Sequence, residues 1–308
     1  MTDFPESGIR LSFPDRTVTS AQLKMIARLV TEEAGDRADI HGSGQIVIDG
    51  ILPSKREVLL GELAAAGVQT AGPAGVEPAD VQRDTAGIRE QSHSELFSIG
   101  IPVPLARLSG AQLRKAADAA ERYGVGTIRL TKEGVLVFPD VSKEKVANLL
   151  EGLQGVGLGV DVPAIVRGAS VCVDTPFQGG VVNEAKRFLK GIVDHLQARV
   201  PLSEPFSIRL CAHTHDCSFV GTAHIGLAAR RPEGSAQTSW LFDLTAGGRP
   251  VAQGISGAEI IVRLEHLLAG YKKSRKPGED FHLFCARVGE EHLQKISELA
   301  HPEPDAVA

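Results

Sequence analysis

Three of the four cysteines lie close together in the chain, and histidines stand beside two of them. Cys172 comes first, and Cys211-Ala-His-Thr-His-Asp-Cys217 then places two thiols and two imidazoles within one short segment. Thiolates and imidazoles bind iron, zinc and copper, so this clustering indicates a metal or redox site. Cysteine also packs as a small buried hydrophobe, which is the alternative interpretation and the one that suits Cys285.

The spacing of these residues leaves the kind of site open. A zinc site would use Cys211, His213, His215 and Cys217, although their spacings match no ordinary zinc module. In the other interpretation, the same side chains only pack and hydrogen-bond in a vestigial pocket.

The elements that must position these residues include a duplicated unit. Ser20-Ala-Gln22-Leu23 recurs 90 positions later as Gly110-Ala-Gln112-Leu113, and Ile48 aligns with Phe138 without a gap. Self-similarity of this kind indicates two copies of one supersecondary unit. Each copy reads as strand, amphipathic helix, hairpin and helix, an order that predicts an antiparallel sheet with helices on one face.

The duplicated pattern predicts an α+β fold with the following organisation. Half-domain 1 covers residues 1–70, a linker 71–95, half-domain 2 residues 96–160, a larger α/β domain 161–300 and a tail 301–308. In the larger domain we expect a helix over 182–198 and strands over 206–211 and 223–230. Trp240-Leu-Phe-Asp-Leu is predicted as its last strand, followed by helices over 258–270 and 290–299.

Composition excludes several classes of partner. The chain has 33 basic and 38 acidic residues, so it lacks the positive excess of a nucleic-acid-binding protein. It contains no apolar run of about eighteen residues and no secretory pattern at its start. We therefore expect a cytoplasmic protein without nucleic-acid or membrane partners.

Several motifs in the same order resemble the nitrite and sulfite reductase family, which includes precorrin-3B synthases. The half-domain motifs are Gly100-Ile-Pro-Val-Pro-Leu-Ala-Arg-Leu108 and Tyr123-Gly-Val-Gly-Thr-Ile-Arg-Leu-Thr131. Those of the larger domain are Arg167-Gly-Ala-Ser-Val-Cys172, Glu184-Ala-Lys186, Phe242-Asp-Leu-Thr-Ala-Gly-Gly248 and Tyr271-Lys-Lys-Ser-Arg-Lys-Pro-Gly278. The resemblance implies two ferredoxin-like half-domains and one domain of the type that holds sirohaem and a [4Fe-4S] cluster.

The resemblance also implies which residues would bind these cofactors. The family's cluster ligands follow Cys-x5-Cys and Cys-x3-Cys, of which Cys172 and Cys217 are retained while Gln178 and His213 replace the other two. Cys217 matches the cysteine that joins the cluster to sirohaem iron. The cluster is therefore expected to be altered or absent, and a shifted set of Cys172, Cys211, His213 and Cys217 is a further possibility.

A sirohaem-like tetrapyrrole carries many carboxylates, which guanidinium and ammonium groups can bind. The candidates for this role that the resemblance implies are Arg107, Arg129, Arg167 and Lys186. The family's anion-binding arginine is replaced by Ser43 in the first copy and by Glu133 in the second. Because a carboxylate repels anions, reduction of nitrite or sulfite is not expected.

The expected function is that of an oxidoreductase, or a subunit of one, which binds a sirohaem-like tetrapyrrole. One alternative is a non-catalytic degenerate paralogue that acts as a partner or scaffold. Another is precorrin-3B synthase-like modification of a tetrapyrrole. A second subunit or a homodimer would complete the site, and the sequence does not identify the electron donor.

Overall fold

The computed structural model describes residues 8–40, 44–70, 86–92, 95–131, 134–172, 179–212, 218–230 and 240–298. Internal contacts divide it into two compact units. Unit 1 contains the described residues up to Val162, and unit 2 contains nearly all described residues from Pro163 onward. Both sequence repeats therefore lie in unit 1.

The two repeats of unit 1 share four strands and two helices in the same order. The first repeat contains β1 (Ile9–Ser12), β2 (Thr17–Thr19), α1 (Ser20–Glu33), β3 (Ala38–Ile40), β4 (Ile46–Ile48), α2 (Pro53–Ala65) and β5 (Gln69–Thr70). The second repeat contains β6 (Gly87–Glu90), β7 (Leu96–Pro102), β8 (Arg107–Leu108), α3 (Gly110–Tyr123), β9 (Thr127–Leu130), β10 (Val135–Ser142) and α4 (Lys143–Gln154).

Each repeat donates one short strand to the sheet of the other repeat. β8 pairs with β3, so that Leu108 lies opposite Ala38, and β2 pairs with β9, so that Val18 lies opposite Ile128. Among the described residues, the resulting sheet orders are β5-β1-β4-β3-β8 and β2-β9-β10-β7-β6. The repeats are thus joined by reciprocal backbone hydrogen bonds.

The first helix of each repeat begins with the same capping box. Thr19 and Ser109 accept hydrogen bonds from the backbone N–H groups of Gln22 and Gln112, whose side chains accept from the backbone N–H groups of Thr19 and Ser109. This arrangement satisfies N–H groups that have no partner within the helix. Each helix then buries an apolar stripe against one face of the sheets. The buried positions are Leu23, Ile26, Ala27, Leu29 and Val30 in α1, and Leu113, Ala116, Ala117, Ala119 and Ala120 in α3.

Unit 2 is built on one mixed sheet. Its strands are β11 (Ala169–Val171), β12 (Ile208–Cys211), β13 (Ile225–Arg230), β14 (Leu241–Ala246) and β15 (Arg249–Ser256), and they lie in this order in the described sheet. β11, β12 and β13 are parallel, whereas β14 and β15 are antiparallel to their neighbours. The helices are α5 (Ala164–Arg167), α6 (Gly179–Arg199), α7 (Ser218–Gly221), α8 (Gly257–Ser274), α9 (Phe281–Val288) and α10 (Glu290–Glu298).

The α+β architecture predicted from the repeat is confirmed, but several short elements were not predicted, among them β15, α9 and β6. β15 follows the strand that was predicted to be the last one, and its Pro250 and Gly254 break the alternation typical of a strand. α9 was missed because it has only 8 residues. β6 lies within the predicted linker, where it pairs with β7 at the edge of the second sheet.

In the part of the chain that the structure describes, no helix combines the length and apolar character needed to cross a membrane.

Two glycines of unit 1 allow a matched test of the turn that leads β8 into the first sheet. Gly134 and Gly157 both have φ of +73°, but a Cβ at Gly134 would lie 2.8 Å from the Cβ of Ala106, whereas nothing lies within 4 Å at Gly157. We expect Gly157→Ala to lower the free energy of unfolding by about 1 kcal/mol through backbone strain. Gly134→Ala should lower it by about 2–4 kcal/mol because overpacking is added. Chemical denaturation measures both, and equal losses would contradict a tight contact at Ala106.

Candidate functional site

The sheets of unit 1 carry buried apolar residues on the face that the helices do not cover. Ile46 and Ile48 belong to the core shared with the helices, so Val47 between them lies on the opposite face. Val137 in β10 likewise lies between two core residues and therefore faces away from the helices. Both valines are nevertheless buried, at 5% and 1% exposure, in the central strands of their sheets. This second face therefore has an apolar centre in each sheet.

Arginines lie beside that apolar centre. Arg10 is paired with Val47 between β1 and β4, and Arg129 is paired with Val137 between β9 and β10. Paired residues on neighbouring strands share a face, so these arginines lie on the same side as the valines. Apolar side chains with guanidinium groups beside them have the chemistry that suits an apolar ring whose rim carries carboxylates. The residues of this face are therefore compatible with a tetrapyrrole.

Arg107 is held by a carboxylate from the other repeat. Its Nε and Nη2 atoms donate to Oδ1 and Oδ2 of Asp39 at 2.7 and 2.8 Å. Both side chains are largely shielded from solvent, at 18% and 14% exposure, and such a parallel fork is the strong form of this ion pair. A ligand carboxylate at Arg107 would therefore have to compete with Asp39.

The position in the second repeat that is equivalent to Asp39 has the opposite charge. Asp39 corresponds to Arg129 at the repeat offset, and Thr17 corresponds to Arg107. In the structure Thr17 lies opposite Arg129, as Arg107 lies opposite Asp39. The second repeat thus places a guanidinium where the first places a carboxylate.

In unit 2, two cysteines lie at the carboxyl ends of neighbouring parallel strands. Val171 is paired with Leu210, and the backbone N–H of Cys172 donates to the carbonyl oxygen of Leu210 at 2.8 Å. Cys172 is therefore the first residue after the paired part of β11, and it lies beside Cys211. Ligands in α/β sheets are generally bound at the carboxyl ends of the parallel strands. Two of the predicted ligand residues are thus brought together where ligand binding is expected.

Two other predicted site residues of unit 2 differ in their exposure to solvent. Lys186 lies on α6 and is buried, at 4% exposure, whereas Arg167 ends α5 and is exposed. A buried ammonium must be compensated by polar or charged groups, because its transfer out of water is costly. Lys186 and Arg167 therefore lie in different environments, and their predicted contacts with a tetrapyrrole stay predictions.

Several predicted site residues lie outside the described residues. They are Ser43 and Glu133 at the anion positions, and Gln178, His213 and Cys217 on the ligand loops. Their predicted roles stay predictions.

Cys285 lies on α9, near the end of the sheet that is opposite to Cys172 and Cys211. A Cβ at Gly247 would lie 2.7 Å from the Cβ of Cys285, and the N–H of Gly247 donates to the carbonyl oxygen of His224, just before β13. His224 also accepts from the backbone N–H of Ser207, just before β12, at 3.0 Å. Cys285 is therefore near the amino ends of β12 and β13, whereas Cys211 ends β12. Burial raises the pKa of the Cys285 thiol to about 12.

A [4Fe-4S] cluster with four cysteine ligands does not fit this chain. The sequence has four cysteines, and one of them, Cys285, lies at the wrong end of the sheet. At most three thiolates are left for one site. Among the described residues, no group of three or more His, Cys, Asp or Glu side chains could hold a metal ion.

Sequence reasoning missed the partner of Arg107 and the apolar residues of the second face. Aligning the repeats position by position would have shown that Asp39 replaces an arginine. The unbroken apolar runs Ile46-Val-Ile48 and Val135-Leu-Val-Phe138 would have indicated burial on both faces, since a strand exposed on one side alternates.

The environment of Cys285 leads to a prediction about its reactivity. In the native protein at about pH 8, Cys285 should react with N-ethylmaleimide at least about tenfold more slowly than Cys172, because little thiolate forms and the side chain is buried. Mass spectrometry of tryptic peptides measures labelling at each residue, and the unfolded protein, in which both should label at similar rates, is the control. Rapid labelling of native Cys285 would contradict its burial.

Comparison with known proteins shows which proteins this chain is similar to. A model described as the nitrite/sulfite reductase ferredoxin-like half domain matches residues 89–156. The chloroplastic ferredoxin–nitrite reductase of Zea mays is 29% identical over 54% of this chain and 30% of its own length. A sulfite reductase [NADPH] hemoprotein beta-component of Methylorubrum extorquens is 31% identical over 59% of this chain and 30% of its own length.

The fold has a counterpart among solved structures. The Mycobacterium tuberculosis NirA protein aligns with a TM-score of 0.69 over 93% of this chain and 84% of its own, at 15% identity, which shows a shared fold. The two curated relatives are longer proteins, of which this chain spans 30%. The half-domain model matches within unit 1 and these relatives align over more than half of the chain, so the chain is similar to nitrite and sulfite reductases in sequence and contains one of their ferredoxin-like half domains.

Proposed function

We propose that the protein is an oxidoreductase, or a subunit of one, that binds a sirohaem-like tetrapyrrole on the second face of the unit 1 sheets. The observation that carries this proposal is the combination of Val47 and Val137 with flanking arginines on one face. The sequence similarity supports redox chemistry, since the aligned relatives are named as nitrite and sulfite reductases.

The side chains of this face would divide the work of binding. The valines would supply the apolar part of the binding face. Arg10 and Arg129 would bind peripheral carboxylates through charge-assisted hydrogen bonds. Arg107 would contribute less, because Asp39 occupies its fork. When bound, the tetrapyrrole would supply an iron centre capable of one-electron transfer.

The substrate is not proposed to be nitrite or sulfite. Ser43 and Glu133 occupy the positions at which the family carries its anion-binding arginine. A carboxylate near a bound oxyanion would oppose binding through like-charge repulsion, which is strongest where water is excluded. A four-thiolate cluster is likewise not proposed, so electrons would reach the tetrapyrrole by another route, such as a partner subunit.

Arg129 provides the test of the proposed binding face. Arg129→Ala should weaken the binding of added sirohaem by about tenfold or more, because a charge-assisted hydrogen bond contributes about 1.5–3 kcal/mol. Arg28→Ala is the matched control, since Arg28 lies on α1 in the helix layer, where it pairs with Glu32 and Glu62. Titration monitored by absorbance gives both affinities.

The same proposal can be contradicted with the wild-type protein. Chain expressed with a sirohaem supply and purified anaerobically should absorb in the visible range, and iron analysis should match the tetrapyrrole content. Colourless protein that also fails to bind added sirohaem would reject the proposal and favour a scaffold role. A tetrapyrrole whose mass changes during incubation with reductant or oxygen would instead be a substrate.

A further inference from the structure

We propose that Cys172 and Cys211 form a reversible disulfide, so that unit 2 contains a thiol pair that responds to oxidation. The observation that carries this proposal is the register of β11 and β12. Their parallel ladder pairs Val171 with Leu210, and the hydrogen bond from Cys172 N–H to the Leu210 carbonyl oxygen continues it. The next residues in line on the two strands are the two cysteines.

The distance between neighbouring strands suits a disulfide. Adjacent strands lie about 4.8 Å apart, and disulfide-bonded cysteines have Cα atoms about 4.4–6.8 Å apart. Residues at the same level of a ladder point to the same side of the sheet. Because Val171 and Leu210 are core residues, Cys172 and Cys211 share the face that lies opposite those two side chains. Cys172 directly follows β11, where the backbone can adjust to the geometry of the bond.

The two thiols differ in accessibility, which gives them different roles. Cys172 is partly exposed, whereas Cys211 is buried, at 1% exposure. A small disulfide such as oxidised glutathione can therefore reach Cys172 first. In thiol–disulfide exchange, the attacking sulfur must be a thiolate and the second sulfur must lie within reach of the mixed disulfide. Cys211 meets the second requirement by its position in the neighbouring strand.

The exchange balances without any further reactant. The thiolate of Cys172 attacks one sulfur of oxidised glutathione, the glutathione S–S bond breaks, and one glutathione thiolate leaves and takes up a proton. Cys211 then loses its proton and attacks the Cys172 sulfur, which releases the second glutathione as a thiol. The two cysteines are oxidised by two electrons, and one glutathione disulfide is reduced to two thiols. Excess reduced glutathione reverses both steps.

This proposal is independent of tetrapyrrole binding but has a consequence for any metal site in unit 2. Disulfide formation would withdraw both Cys172 and Cys211 as ligands, since the thiolate is the form that binds metal. Cys285 cannot replace either one, because it lies near the opposite ends of the strands. After oxidation, Cys217 would therefore be the remaining cysteine that could act as a metal ligand there.

Peptide mapping of the native full-length chain tests the proposal. Trypsin places Cys172 in the peptide that ends at Lys186, and places Cys211 and Cys217 together in the peptide that ends at Arg230. After incubation of reduced protein with oxidised glutathione, acid quenching and alkylation, these two peptides should be recovered linked. Fragmentation of the linked pair should locate the bond at Cys211, and dithiothreitol should abolish it.

Variants separate Cys211 from its neighbour Cys217. Cys217→Ser and the matched control Cys285→Ser should keep the link, whereas Cys211→Ser should lower the ratio of linked to unlinked peptide by about tenfold or more. A link that survives in Cys211→Ser and disappears in Cys217→Ser would overturn the proposal. Full alkylation of both peptides in the oxidised wild-type protein would also overturn it, and this outcome does not depend on the folding of any variant.

Discussion

Unit 1 depends on the reciprocal exchange of two short strands. β2 and β8 each contribute only a few residues, yet they complete the sheet of the opposite repeat through backbone hydrogen bonds. The turn before β8 must pass closely over Gly134, which only a residue without a side chain allows at that distance. The position of Arg107 follows directly from this exchange, since β8 brings it to Asp39 of the first repeat. The exchange therefore fixes both the fold of unit 1 and the charges on its second face.

The two repeats share one fold, but the residues on the second faces of their sheets differ. Val47 and Val137 occupy equivalent buried positions, so both sheets keep an apolar centre. Asp39 and Arg129 also occupy equivalent positions but have opposite charge. In the first copy the arginine delivered by the exchanged strand is neutralised within the protein. The second copy has a guanidinium at the corresponding place.

The fold was predictable from the sequence to the extent that local patterns determine it. The 90-residue repeat and the amphipathic helices that it contains both reappear in the structure. The strand exchange was not predictable, because β2 and β8 are too short to show a pattern and their partners are distant in sequence. β15 was not predicted for a different reason, because its proline and glycine interrupt the alternating pattern by which a strand is recognised.

The candidate site was predictable by residue type more than by arrangement. Arg107 and Arg129 were both identified, but no pattern in the sequence shows that one of them is paired with Asp39. Cys172 and Cys211 were named as members of one ligand set, yet their side-by-side position depends on the register of two strands that are separated by α6. Side-chain identity is local information, whereas ion pairing and strand register are set by tertiary packing.

The exchanged strands also limit how the chain can be dissected. If the first repeat were produced alone, β3 would lose β8 and become an uncovered edge, with N–H and C=O groups open to another chain. The second repeat alone would lose β2 in the same way. Shortened versions of the protein should therefore be cut outside unit 1 if both of its sheets are to stay complete.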